Sequence, residues 1–258
     1  ADALKKLGIT ISFFPIKEGG IKGYLKSLIK LKKLLKCNSY DLIHAHYGFS
    51  GLLASLQRKV PVVITFHGSD INWKRKRILS SIASLLSKGG IFVSQNLLDK
   101  LFIKPKINAI IPCGIDSTIF KPIDKDFARS ELNLKKEKKY ALFASKFSIN
   151  RKNPKLAKNA LKNLDIELIE LKGYSREQVC LLMNACDLLI LTSKSEGSPQ
   201  VIKEAMACNC PIVSTDVGDV KKLINHADGC FVTSFKTDDV SNKIKAAINF
   251  GKRTNCRS

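Results

Sequence analysis

Uninterrupted apolar runs are short throughout this chain of 258 residues. None approaches the roughly 20 consecutive apolar residues that a membrane-spanning helix requires, and the first residues, Ala1 to Lys6, show no signal-peptide pattern. We therefore expect a cytoplasmic protein. Only 7% of the residues are aromatic, but the apolar fraction of 45% can still form one large or two medium-sized buried cores.

Acidic residues are half as numerous as basic ones, 22 against 44, which gives a net charge of +22. The excess is spread along the chain, with 19 basic and 6 acidic residues in 1–120 and 25 and 16 in the remainder. It favours a polyanion or an anionic membrane surface as a partner, and it is equally consistent with a general abundance of lysine. Because no nucleic-acid-binding motif or interleaved basic and aromatic patch accompanies it, we expect no nucleic-acid partner.

Paired Cys-x-x-Cys spacing is also missing. The eight cysteines are scattered, and several lie in apolar stretches where a thiol behaves as a small hydrophobe. Cys208 and Cys210 form the one close pair, which is weak evidence for zinc without a second pair of matching spacing. No Asp-x-Asp motif follows a predicted strand where a metal ion could use it. We expect no metal and no resident cofactor.

Short apolar runs alternate with amphipathic segments over most of the chain. Such alternation predicts parallel sheets covered by helices on both faces. The strands are predicted at Ile9–Phe14, Leu42–His44, Val62–Phe66, Ile91–Ser94, Ala109–Ile111, Tyr140–Ser145, Ile166–Leu171, Leu188–Leu191, Pro211–Ser214 and Cys230–Val232. Helices are predicted between them, in the second half near 153–163, 175–186, 200–207, 218–224 and 238–249.

A polar, lysine-rich stretch between about Phe120 and Lys139 interrupts this rhythm. We therefore predict two Rossmann-like, doubly wound α/β domains, residues 1–122 and 123–258, that enclose a cleft. Ligands of such sheets bind beyond the carboxyl ends of the strands. Polar residues cluster after the predicted strands at His44–Gly48, His67–Asp70, Ser145–Lys146, Arg151–Asn153 and Ser193–Gly197. Basic groups and a helix start at one cleft would suit a diphosphate.

Two carboxylates eight positions apart, Glu196 and Glu204, are separated by a Gly-Ser-Pro break. The break predicts that Glu196 lies on a loop and Glu204 in the helix that follows. Unpaired N–H groups at the start of that helix favour an anion such as phosphate, and Glu204 could accept hydrogen bonds from sugar hydroxyls. The simpler alternative is a solvated Glu204 and a Glu196 that only caps the helix.

The segment from Asp187 to Gly218 resembles the E-x7-E motif and its flanks in the retaining family 4 glycosyltransferases, which have the two-domain GT-B fold. Ile111–Asp116 with Phe120 is similar to the segment that closes the N-terminal domain of that family. Phe66–Asp70 resembles its histidine loop, which faces the donor. Together these similarities extend along nearly the whole chain.

The resemblance implies a role for individual residues. It implies that His67 and Glu196 act at the donor sugar and that Glu204 contacts the nucleotide ribose. It implies that Lys146 and Lys152 bind the diphosphate, although Ser145-Lys146 stands where Gly-Arg is common, and lysine lacks the bidentate geometry of arginine. The helix start, Gly197, Ser198, Pro199, Gln200 and Val201, is expected to complete the phosphate site.

The implied activity is metal-independent transfer of a sugar from a nucleoside diphosphate sugar to a hydroxyl of a glycan or lipid-linked acceptor, with retention. A sugar-nucleotide epimerase, a phosphorylase and an inactive fragment are the alternatives. Compared with the family, the chain is expected to be truncated at both ends, since an earlier strand and glycine-rich loop and a last helix are missing.

Six lysines surround a leucine-rich stripe in Lys22–Lys36. One interpretation is a helix that covers the N-terminal sheet through its apolar face. The other is an interfacial helix attracted to anionic lipid, which Trp73–Arg77 could extend. The second interpretation predicts a peripheral protein on the inner face of the membrane.

Overall fold

The computed structural model describes residues 2–17 and 20–256, with side chains other than those of residues 2, 3 and 21. The chain divides into two compact units. The first extends to Phe92 and includes Lys100–Ala109, and the second comprises Val93–Asp99 and the chain from Ile110 onward. The predicted domain division between residues 122 and 123 stays a prediction.

The first unit contains a sheet whose strands lie side by side in chain order. Its strands are β1 (Ile43–His46), β2 (Val62–Phe66), β3 (Gly89–Phe92) and β4 (Asn108–Ile110). Its helices are α1 (Asp2–Lys6), α2 (Gly20–Cys37), α3 (Gly48–Ser55) and α4 (Lys74–Leu86), whereas α5 (Gln95–Lys100), which follows β3, lies mainly in the second unit. β1, β2 and β3 are parallel to one another. Their core includes the fully buried Ile64 and the stacked rings of Phe66 and Phe92, whose centroids are 4.8 Å apart.

The predicted strand at Ile9–Phe14 is wrong, because these described residues form no strand. Ile9 and Phe13 are exposed, and within the described chain no neighbouring strand supplies the hydrogen bonds that an extended backbone needs. An apolar run alone therefore does not place a strand here.

The predicted ends of β1 and β3 are also wrong. The predicted first strand ends at His44, but β1 continues to His46, which pairs in parallel with Thr65. β3 begins with two glycines that the prediction left out. A Cβ atom on Gly90 would lie 2.9 Å from Cγ of Pro105, so glycine here permits a close approach of the chain rather than a break in the strand.

The second unit is a doubly wound parallel sheet with the strand order β6-β5-β7-β8-β9. Its strands are β5 (Tyr140–Phe143), β6 (Glu167–Glu170), β7 (Leu188–Leu191), β8 (Ile212–Thr215) and β9 (Cys230–Thr233). Its helices are α6 (Lys125–Glu131), α7 (Pro154–Leu161), α8 (Arg176–Ala185), α9 (Gln200–Ala207), α10 (Val220–Ile224) and α11 (Thr237–Phe250). Adjacent strands are parallel, as predicted.

Helices cover both faces of this second sheet. On one face, Leu142 and Leu189 pack with Ile202 of α9, and on the other, Phe143 and Ile190 pack against residues of α7 and α11. All four residues of β5, β7 and β8 are buried. Burial on both faces explains why these strands are continuous apolar runs. Among the described residues, no helix has the length and apolar character needed to cross a bilayer.

A buried carboxylate, Asp187, joins the start of the second sheet to α6. It accepts hydrogen bonds from Lys125 Nζ at 2.6 Å, Arg129 Nη2 at 3.1 Å and the backbone N–H of Tyr140 at 2.7 Å. The side chains of Asp187 and Arg129 are only 7% and 3% exposed. Removing the carboxylate would therefore leave a buried guanidinium without its counter-ion.

We predict that Asp187→Ala lowers the free energy of unfolding by about 3 to 5 kcal/mol, because it leaves this buried charge unpaired. The matched control is Asp126→Ala, which removes an ion pair to Lys136 in which both side chains are exposed. Because solvent screens that exposed ion pair, we expect no measurable change in the free energy of unfolding for Asp126→Ala. Urea unfolding followed by circular dichroism measures both variants, and equal losses would contradict the prediction.

Candidate active site

The strand order of the second sheet creates a switch point between β5 and β7. β6 lies on one side of β5, whereas β7, β8 and β9 follow on the other. Connections on the two sides leave in opposite directions, which opens a crevice beyond the carboxyl ends of β5 and β7. The segments at this crevice are residues 144–153 and residues 192–199.

Hydrogen bonds join these two segments. The backbone N–H of Lys194 donates to the carbonyl oxygen of Arg151 at 2.9 Å, and the Thr192 hydroxyl donates to the carbonyl oxygen of Lys152 at 3.1 Å. A 3-10 turn, Asn150–Lys152, precedes Asn153, whose φ of 52° is left-handed, and α7 begins at the next residue. The turn therefore holds Arg151 and Lys152 against the loop after β7.

Glu196 is the acidic centre of this crevice. Its Oε1 lies 2.7 Å from Lys152 Nζ, and its Oε2 lies 3.1 Å from Arg151 Nη1. Arg151 Nη1 also donates to the carbonyl oxygen of Ser195 at 2.5 Å. The Glu196 side chain is 10% exposed, so these charged contacts are only partly screened by water.

Opposing effects act on the pKa of Glu196. Burial alone would raise the pKa, but the charge and hydrogen bond of Lys152, a hydrogen bond from Ser193 and the charge of Arg151 together hold it below its ordinary value. Glu196 is therefore ionised at neutral pH.

The helix start after Glu196 is held by contacts with the loop after β8. Ser198 Oγ donates to Asp219 Oδ2 at 2.7 Å. Gly218 has a φ of 64°, and a Cβ atom there would collide with the carbonyl oxygen of Gly197. The same carbonyl oxygen accepts a hydrogen bond from Ser94 Oγ at 3.1 Å. These contacts fix the backbone that leads into α9.

α9 begins at Gln200, and Pro199 precedes it as the N-cap without a side-chain capping bond. The first N–H groups of a helix have no partner within the helix, so the N–H groups of Gln200 and Val201 can bind an anion, whereas Pro199 has no N–H to offer. Glu204 lies one turn further on. Burial raises the pKa of Glu204, and the positive charge of Arg176 offsets only part of this rise.

The second predicted diphosphate ligand, Lys146, lies after β5 and is exposed. None of the ion pairs between described residues includes it, in contrast to Lys152. Its position at the carboxyl end of β5 leaves its ammonium group available to a ligand in the crevice.

His67 belongs to the first unit, where it contacts other rings. His67 Nε2 lies 3.0 Å from Nδ1 of His46, and the Tyr47 ring centroid lies 4.7 Å from that of His67. His44 Nε2 lies 2.7 Å from the Thr65 hydroxyl, and its ring contacts His46. Tyr47 has a φ of 71°, an unfavourable value for a bulky residue and therefore a local strain beside His67.

Buried Asp70 anchors the loop that contains His67. Its Oδ1 accepts a hydrogen bond from the N–H of Gly68 at 2.8 Å, and its Oδ2 accepts one from the N–H of Gly48 at 3.1 Å. The pKa of His67 is lowered mainly by burial and also by His46, while Asp70 partly opposes the decrease. A neutral His67 imidazole can both donate and accept a hydrogen bond at neutral pH.

The structure brings together some of the predicted residues. Lys152 and Glu196 form an ion pair, and the predicted helix start is adjacent to them. Sequence reasoning missed two contributors: Arg151 as a partner of Glu196 and Asp219 as a partner of Ser198. The basic pair Arg151-Lys152 was a usable signal for the first. Among the described residues, no three His, Cys, Asp or Glu side chains are grouped to hold a metal ion.

Comparison with known proteins gives matches along most of the chain. The family described as "Glycosyl transferases group 1" matches residues 135–249, and that described as "Glycosyltransferase Family 4" matches residues 3–119. A glycosyltransferase of Methanocaldococcus jannaschii is 26% identical over 88% of this chain and 71% of its own length. The UDP-Gal:alpha-D-GlcNAc-diphosphoundecaprenol alpha-1,3-galactosyltransferase of Escherichia coli is 24% identical over 87% of this chain and 70% of its own length.

Solved structures share the fold. The Anabaena protein HepE, crystallised with UDP-glucose, superimposes with a TM-score of 0.74 and 19% identity, over 99% of this chain and 82% of the Anabaena chain. The predicted fold class, two parallel-sheet α/β domains of the GT-B type, is confirmed. The roles assigned to individual site residues stay predictions.

We predict that Gly218→Ala destabilises the protein more than Gly173→Ala does. Both glycines have a positive φ, but a Cβ atom at Gly173 meets nothing within 4 Å, whereas one at Gly218 meets the backbone of Gly197. Both variants carry a conformational cost of about 1 kcal/mol, and only Gly218→Ala adds a steric cost. Urea unfolding measures the free energy of unfolding of both variants. An equal decrease in the two would show that the loop after β8 does not support the backbone of Gly197.

Proposed function

Because the chain belongs to the family 4, group 1 glycosyltransferases, we propose that it transfers a sugar from a nucleoside diphosphate sugar to an acceptor hydroxyl with retention. The acceptor is proposed to be a glycan or a lipid-linked saccharide in polysaccharide, lipopolysaccharide or glycolipid synthesis. The relative that acts on a diphosphoundecaprenol-linked sugar and the fold neighbour crystallised with UDP-glucose support this proposal.

The observation that carries the proposal is the ionised Glu196 held by two cations beside the start of α9. When a glycosyl group leaves a nucleoside diphosphate, positive charge develops on the sugar and negative charge on the departing diphosphate. A fixed carboxylate next to fixed cations and helix N–H groups matches that separation of charge and stabilises the transition state selectively. We assign the diphosphate to Lys146, Lys152 and the first N–H groups of α9.

Glu204 is proposed to bind the nucleotide ribose. It lies about one turn into α9, near enough to the helix start for one ligand to contact both. The two oxygens of the Glu204 carboxylate can accept hydrogen bonds from the two adjacent hydroxyl groups of a ribose. His67 is proposed to contact the donor sugar through one neutral imidazole nitrogen.

An anionic membrane surface is proposed as a further partner of the first unit. α2 contains six lysines and no acidic residue. Its buried residues include Ser27, Leu31 and Leu35, and it packs against α3. Leu25 and Ile29, however, are 57% and 58% exposed one turn apart. Two exposed apolar residues among lysines favour the interface of an anionic bilayer.

We predict that Glu204→Ala weakens binding of uridine diphosphate about 10- to 100-fold, the loss expected for hydrogen bonds to a charged group. Isothermal titration calorimetry measures the affinity, with Glu131→Ala, an exposed glutamate on α6, as the control. Unchanged affinity in Glu204→Ala would exclude the ribose role.

Activity is tested with a panel of nucleoside diphosphate sugars and lipid-linked acceptors. We expect nucleoside diphosphate release only when an acceptor is present, and we expect a strong decrease in turnover for Glu196→Ala. Conversion of the donor sugar without an acceptor would instead indicate an epimerase. Transfer to inorganic phosphate would indicate a phosphorylase.

For the membrane surface, we predict that the protein sediments with vesicles containing phosphatidylglycerol and not with vesicles of phosphatidylcholine alone. Lys30→Glu/Lys33→Glu should reduce sedimentation because it reverses charge on the exposed side of α2. Lys155→Glu/Lys245→Glu, on α7 and α11 of the second unit, is the control with the same change in net charge. A similar effect of both changes would show that net charge, rather than α2, determines binding.

A further inference from the structure

Glu196 has two cationic partners that are held very differently. Arg151 Nη1 contacts both the carboxylate, at 3.1 Å, and the carbonyl oxygen of Ser195, at 2.5 Å. Lys152 reaches the other carboxylate oxygen at 2.7 Å through an ammonium group on a flexible chain. The Arg151 guanidinium therefore has two acceptors on the loop after β7, although its side chain is 40% exposed. The Lys152 side chain is 15% exposed and contacts the carboxylate through one ammonium group, which can rotate to a new acceptor.

When a nucleoside diphosphate sugar binds, its negative charge affects Arg151 and Lys152 differently. Glu196, Arg151 and Lys152 together have a charge of +1, and a diphosphate adds negative charge that competes with Glu196 for the mobile ammonium. If Lys152 turned to the diphosphate and Arg151 were absent, a carboxylate that is only 10% exposed would lose both of the cations that contact it. A buried charge without a partner is strongly unfavourable.

We propose that Arg151 is a positioning residue that keeps Glu196 charged and oriented while Lys152 moves from Glu196 to the diphosphate of the donor. This inference rests on the proposed function. It divides the two neighbouring basic residues into a permanent partner of the carboxylate and an exchangeable one. The division also explains why Arg151 is bonded to the loop that contains Glu196 as well as to Glu196 itself.

The side chain at position 151 has to meet two acceptors at once. A guanidinium presents several N–H groups in one rigid plane, so it can hold a carbonyl oxygen and a carboxylate oxygen together. A lysine there would keep the charge but hold the carboxylate less firmly. Arg151→Lys should therefore be intermediate between the natural protein and Arg151→Ala, which distinguishes a need for charge from a need for geometry.

The direct test is the titration of Glu196 in the whole protein. With ¹³C-labelled glutamate, NMR follows the Glu196 carboxyl from pH 3 to 8, with its signal assigned through Glu196→Gln. Each protein is measured with and without uridine diphosphate. The charged groups that act on Glu196 are Lys152 and Arg151, so the variants compared are Arg151→Ala, Arg151→Lys and Lys152→Ala.

We expect uridine diphosphate to shift the Glu196 midpoint upward much more in Arg151→Ala than in the natural protein, because both cations are then lost. In Lys152→Ala the nucleotide should change the midpoint little. We also expect Arg151→Ala to lower kcat by on the order of tenfold, with nucleotide affinity within about threefold of normal, whereas Lys152→Ala should weaken affinity by tenfold or more.

Two results would overturn the inference while leaving the proposed function intact. One is a nucleotide-induced shift that is the same in Arg151→Ala and the natural protein. The other is a loss of affinity in Arg151→Ala as large as that in Lys152→Ala, which would make Arg151 a phosphate ligand. A natural protein that binds no nucleoside diphosphate would instead overturn the proposed function, and the inference with it. Thermal unfolding of each variant confirms that it is folded.

Discussion

The ion pairs of Glu196 are the constraint on which the candidate site depends. A carboxylate that is nearly buried needs compensating charge, and here two cations from the turn after β5 supply it to a loop that follows β7. The same contacts therefore determine the ionisation of Glu196 and the relative position of the two loops. An anion that binds Lys152 has to compete with Glu196 for that cation.

The geometry of this crevice depends on a rigid sheet beneath it. β5, β7 and β8 are buried on both faces, so the backbone at their carboxyl ends starts from fixed positions. Hydrogen bonds between the loops then extend that order outward, through Thr192 and Lys194. Gly218 completes the arrangement, because only a residue without a Cβ atom allows the loop after β8 to approach Gly197.

Much of the second unit could be predicted from sequence because its strands are continuous apolar runs that have a single interpretation. The strands of the first unit were harder to predict from the sequence. The polar residue His46 gave no sign that β1 extends to it, and Gly89 and Gly90 gave no sign that β3 begins there, because both features depend on neighbours distant in sequence. The partners of Glu196 show the same limit: spacing indicated basic residues nearby, but the assignment of Arg151 to one oxygen and Lys152 to the other follows only from tertiary structure.

The pKa values of the titratable groups in the two units are lowered by different causes. Around His67 the pKa values of His44 and His67 are lowered, chiefly by burial, so these imidazoles stay neutral below their ordinary range. Around Glu196 the positive charges of Lys152 and Arg151 lower the pKa of the carboxylate, so it stays ionised to lower pH than an ordinary glutamate. Both shifts extend, toward acid, the pH range in which a neutral imidazole and an ionised carboxylate exist in the same molecule. The neutral form of His67 and the ionised form of Glu196 therefore both persist under moderate acidification.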